Sequence, residues 1–71
     1  MAEISKPSKT LGQQIQKYRK RKGFSQEKLA EKLNISRAHM GHIEQGRKKP
    51  SLDLLEDIAK ELSINIRNLF P

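Results

Sequence analysis

Cysteine and tryptophan are absent from the 71 residues, and only one tyrosine and two phenylalanines are present. Without cysteine there is no disulfide framework and no thiolate metal site. Without aromatic platforms the chain is poorly suited to stacking single-stranded nucleic acid. No apolar run approaches the roughly 20 residues of a membrane span, and the N-terminal stretch lacks the apolar core of a signal peptide. His39 and His42 stand at i, i+3 with Glu44 nearby. They lack a third ligand on the same face, so no metal is expected. No nucleophile–base pair or phosphate loop appears at credible spacing, so the expectation is a non-enzyme with no cofactor and no small-molecule substrate. One small cytoplasmic domain is expected, near the size at which a single core is only marginally stable.

What the chain has is positive charge. Its net charge is +7 and its pI about 10.1, which points to a polyanionic partner. The distribution is uneven: residues 1–49 hold 13 Lys/Arg and 4 Asp/Glu, whereas residues 50–71 hold 2 and 4. One part of the molecule is built to face phosphates and the other is not.

Ser25 to Gly46, SQEKLAEKLNISRAHMGHIEQG, is the stretch around which the rest is organised. Ser25 and Ser36 are each placed to cap a helix. Phe24 with Leu29, and Ile35 with Met40, stand at the two ends of hydrophobic staples. Between the helices Leu33-Asn34-Ile35 leaves no room for a loop, and Asn34 tolerates the left-handed conformation of a tight corner. Two helices locked by a three- or four-residue turn make a helix-turn-helix. At about 100° per residue, Met40 and Ile43 mark the inner face of the second helix. Ala38, Gly41, His42 and Gln45 fall roughly opposite, with Arg37 at the exposed first turn. That outer face is small and polar and suits insertion into a groove. Gly41 costs on the order of 1 kcal/mol of helix stability relative to alanine. Either the backbone approaches a partner closely there, or glycine is merely tolerated on a surface.

The pattern resembles the helix-turn-helix of the phage-repressor and Cro family, also called Xre or lambda-repressor-like. The residues that carry the resemblance are Gln26, Leu29, Ala30, Ile35, Ser36, Met40, Ile43, Glu44, Gly46 and Pro50, with Arg19 upstream and Leu54-Leu55 downstream. It extends from about Thr10 to Phe70 without insertion. The resemblance implies an all-α, compact bundle of five short helices with a central helix-turn-helix. It also implies sequence-specific binding of double-stranded DNA, usually as a homodimer, with the Ser36–Gln45 helix in the major groove. A roughly palindromic site follows, with half-sites about 34 Å apart if the family geometry holds. Arg19 and Glu44 are implied to pair beneath the binding surface. Gly41 and His42 depart from common family choices on the reading face, so a known operator cannot be transferred.

Along the chain, residues 1–9 are expected to form a flexible arm, and residues 10–71 the DNA-binding domain. Thr10 with Gln13 fits a capping box at the start of the first helix, which ends in Lys17-Tyr18-Arg19-Lys20-Arg21-Lys22 and Gly23. Arg21 is a candidate phosphate contact, although cations also complement a helix C-terminus. Gln26 occupies a helix start where free N–H groups favour phosphate. Arg37 and His42 are the expected base readers, with Ala38 and Gly41 against the bases. Ser36, Gln45, Arg47, Lys48 and Lys49 are candidate phosphate contacts, which position rather than specify. Leu52, Leu55, Ile58, Ala59 and Leu62 follow at helical spacing after the Ser51 cap and should close the core. Asn65 caps a last turn. Ile66, Leu69 and Phe70 are candidate dimer contacts, with burial in the chain's own core as the alternative. A protein-interaction module on the same scaffold, or the reader domain of a longer regulator or antitoxin, are the rival readings.

Overall fold

The computed structural model describes residues 7–70, with side chains from residue 11 onward. The first helix, α1, runs from Pro7 to Lys22, three residues earlier than the expected start at Thr10. Proline explains this extension: its φ is preset for a helix and its missing N–H lies where none is needed. Residues 1–6 of the expected arm and Pro71 lie outside the described residues.

Three further helices follow: α2 from Gln26 to Leu33, α3 from Arg37 to Glu44, and α4 from Leu52 to Glu61. A 3₁₀ turn over Ile66–Leu69 is the fifth element, so the all-helical class holds, with four α-helices and one short turn among the described residues. Serine caps begin three of the helices. The Oγ atoms of Ser25, Ser36 and Ser51 accept from the backbone N–H of Lys28, His39 and Leu54 at 3.0, 2.9 and 3.1 Å. Asn34 sits at φ +60° and closes the corner between α2 and α3 in the left-handed conformation. Gly23 and Gly46, at φ +85° and +80°, end α1 and the turn after α3, conformations that glycine adopts without a Cβ penalty.

Ile15, Leu29, Met40, Ile43, Ile58 and Leu69 are the largest fully buried side chains. They come from all five elements, so the core forms only when every element is in place. Two expectations change here. Leu52 is 62 % exposed, because it lies on the first turn of α4, roughly 70° from the centre of the buried stripe at about 100° per residue. Leu69 is fully buried in the chain's own core and Ile66 packs against that core. Leu69 is therefore not an available dimer contact, and of the three candidates only Phe70 is largely exposed, at 49 %. Among the described residues, no helix is long and apolar enough to cross a membrane.

A glycine determines how α1 meets α3. A Cβ built on Gly12 would stand 2.7 Å from the Ile43 carbonyl oxygen and closer still to that of Glu44. Such separations are below van der Waals contact, so α1 reaches the end of α3 only because residue 12 has no side chain. Gly12, Ile15 and Arg19 recur at i, i+3 and i+7, on one stripe of α1. That stripe carries the contact toward α3.

Candidate nucleic-acid interface

Beneath α3 lies a buried polar cluster. Arg19 and Glu44 are both buried and meet in a two-pronged pair. Arg19 Nε donates to Glu44 Oε2 at 2.6 Å and Nη2 donates to Oε1 at 3.1 Å. The remaining prong, Nη1, donates to the Phe24 carbonyl at 2.8 Å and ties in the α1–α2 turn. Gln26 completes the cluster by donating through Nε2 to Glu44 Oε1 at 3.0 Å. Both charges are thus satisfied by geometry as well as by each other, the condition under which a buried pair is tolerated. Its effect is orientational: three helices are held at one point directly below the outer face of α3.

Gln26 departs in part from its expected role. One amide N–H is committed to Glu44, and the Oε1 atom lies on the side of Gly41, 3.7 Å from where a Cβ would stand. A phosphate contact at this position rests on the remaining side-chain N–H and the backbone at the helix start.

On the outer side, Gln26, Arg37, Ala38, Gly41, His42, Gln45 and Arg47 line one open depression of about 440 Å³. The four expected base readers therefore share a single surface with three of the expected phosphate contacts. Among the described residues no carboxylate lines it. Arg37 also borders a second depression with Glu27, Lys28 and Glu31, so it stands on the ridge between the two. Gly41 has no internal reason to be glycine, since a Cβ there would make only an ordinary contact with Gln26.

The other expected phosphate contacts are dispersed. Lys48 and Lys49 are exposed on the loop after α3. Ser36 is exposed, with its Oγ engaged as the α3 cap. Arg21 is elsewhere: its guanidinium lies 5.3 Å from the centroid of the Tyr18 ring, and it lines a separate groove with Lys22, Leu62 and Ile64. That groove shares no lining residue with the depression on the outer face of α3. Arg47, an expected phosphate contact, also has a partner within the chain: its Nε donates to His42 Nδ1 at 3.2 Å. Nothing in the local spacing announces that bond or the Gln26–Glu44 bond. Gly12 was recognisable in principle as an isolated glycine inside a helical pattern.

The helix-turn-helix family profile matches residues 15–69 of the chain, which include the buried cluster and the whole outer face of α3. The chain belongs to the helix-turn-helix family. Within it the chain is of the phage-repressor and Cro-like, or Xre, kind. The immunity repressor of Bacillus phage phi105 is 44 % identical over 57 residues, covering 80 % of this chain and 40 % of that protein. SinR of Bacillus subtilis, a transcriptional regulator, is 35 % identical over 60 residues, covering 83 % of this chain and 54 % of SinR. A crystal structure of SinR in complex with DNA matches with a TM-score of 0.77 at 35 % identity, over 83 % of this chain and 95 % of that one. The restriction-modification controller protein C.AhdI from Aeromonas hydrophila matches with a TM-score of 0.83 at 35 % identity, over 87 % and 94 %. The chain spans about half the length, or less, of the two curated relatives named. The phage protein is thus a repressor and SinR a transcriptional regulator, and the shared part is the helical domain described above.

Proposed function

We propose that this chain is a sequence-specific regulator of transcription that binds double-stranded DNA by laying the outer face of α3 in the major groove. The observation that carries this reading is the assembly of Arg37, Ala38, Gly41 and His42 on one carboxylate-free depression. The exposed cations Lys48 and Lys49 follow in the loop beside it. Arginine recognises guanine through two acceptors, and a small helix face admits the close approach that such contacts need. The relatives that carry repressor and regulator names, and the SinR complex with DNA, support the same reading.

Binding as a homodimer to a roughly palindromic site is the finer proposal. Phe70, half-exposed at the end of the fold, is its candidate contact, flanked by Ile66. Selection of duplexes from a random pool, at low and near-physiological salt, tests both levels. An enriched palindrome that survives the higher salt is the expected result. Salt-sensitive binding with no enriched sequence would contradict sequence reading, because phosphate contacts alone behave that way. Absence of duplex binding at either salt would move the assignment to a protein-interaction module.

A further inference from the structure

The bond between Arg47 and His42 decides what chemistry His42 presents. A guanidinium N–H donates and never accepts, so the ring nitrogen it meets must be the unprotonated one. That nitrogen is Nδ1, with Arg47 Nε at 3.2 Å. In the neutral ring the proton then sits on Nε2. The other end of the imidazole is an N–H donor, on the same depression as Arg37 and Gly41.

The backbone explains why Arg47 reaches back to a residue five positions earlier. Gly46 adopts φ +80°, which reverses the chain after α3. The backbone N–H groups of Arg47 and Lys48 both donate to the His42 carbonyl, at 2.9 and 3.3 Å. The turn that ends the helix is thus built on His42 itself. It carries the guanidinium back over the face that His42 belongs to. Among the described residues only Nε has a partner, and the two Nη groups carry four N–H donors that a phosphate can use.

We infer that Arg47 is a positioning residue for base recognition: it fixes His42 as an Nε2–H donor and thereby selects a base-pair edge that presents an acceptor in the major groove. This rests on the proposed reading of DNA by α3. Guanine offers only acceptors there, N7 and O6, whereas cytosine offers the N4 amino donor. Guanine is therefore favoured and cytosine is disfavoured at the position His42 meets. The same arginine, held on a backbone phosphate through Nη, couples the register of the helix on the duplex to the donor that reads it.

Two measurements on the full chain test this. Long-range nitrogen NMR of the two imidazoles, at a pH where they are neutral and with His39→Gln to assign them, reads the tautomer directly. The expected result is a bare Nδ1 and a protonated Nε2 on His42, with mixed tautomers in Arg47→Ala. A protonated Nδ1 in the unmodified chain overturns the inference. The second measurement compares the selected duplex with its guanine-to-cytosine variant at the pair whose preference His42→Ala abolishes. Discrimination of about tenfold is expected. Arg47→Ala removes the Nε donor and the phosphate contact together, so affinity for every duplex should fall, and the ratio between the two duplexes is the readout. Discrimination at that pair alone should fall to about threefold. Unchanged discrimination in Arg47→Ala overturns the positioning role while leaving DNA reading intact. A chain that prefers no duplex sequence at all overturns DNA reading, and this inference with it.

Discussion

Gly12 and Gly41 are both glycines inside helices, and the structure accounts for only one of them. At Gly12 a side chain would run into the carbonyls at the end of α3, so the fold itself requires glycine. At Gly41 a Cβ would find ordinary contact with one side-chain oxygen, so the fold does not. Each gives up roughly 1 kcal/mol of helix propensity relative to alanine. In the first case α1 packing offsets that cost within the molecule. In the second nothing among the described residues does, and the proposed reading supplies the reason as the approach of DNA to the outer face. The region around Gly12 is built for the protein, and on the proposed reading the region around Gly41 is built for DNA.

The sharpest way to break that comparison is on the internal side. Glu44→Ala leaves Arg19 buried without its carboxylate and releases Gln26, and should destabilise the fold by about 3–5 kcal/mol. Urea unfolding reads this, and a loss no larger than that of an exposed substitution would show that the cluster is not a structural centre. Gly12→Ala comes next, at about 1–3 kcal/mol of destabilisation from overpacking against backbone. The sign is what matters here, since alanine is the better helix former and an unpacked site would gain stability. Gly41→Ala should do the opposite, raising stability by up to about 1 kcal/mol. At the same time it should weaken binding of a selected duplex by roughly 1–3 kcal/mol, the range for inserting a methyl into a packed contact. Stability gained with no loss of binding would reduce Gly41 to a tolerated surface residue. The smallest effect belongs to Lys48→Ala, which should weaken all duplexes alike. It should flatten the logarithmic salt dependence by about one unit, measured by titrations at several salt concentrations.

The features legible in the sequence were those decided within a few residues. Ser25, Ser36, Ser51 and Asn65 all cap where their spacing placed them, and Asn34 takes the left-handed corner. Each needs only its own side chain and the next turn of backbone. The outer and inner faces of α3 followed from helical geometry alone. Other features depend on distances the sequence does not display. Gly12 meets Ile43 and Glu44 across more than 30 positions, and no local pattern shows that α1 lands on the end of α3. The Arg19–Glu44 pair entered through family resemblance, and its third member, Gln26, through the structure. Leu52 kept a helical spacing yet fell at the edge of the stripe, where one turn separates burial from solvent. Leu69 was ambiguous because an apolar residue near the end of the described fold suits a core and an interface equally well.

The central claim is that the outer face of α3, and not the acidic face of α4, meets the double helix. Backbone amide NMR of the chain titrated with a selected duplex tests it most directly. The account predicts that the strongest shifts fall on Gln26, Arg37, Ala38, Gly41, His42 and Arg47. Asp53, Glu56 and Asp57 should stay nearly still apart from any change spread evenly over the domain. Shifts centred on α4, with Gly41 and His42 unmoved, would contradict it.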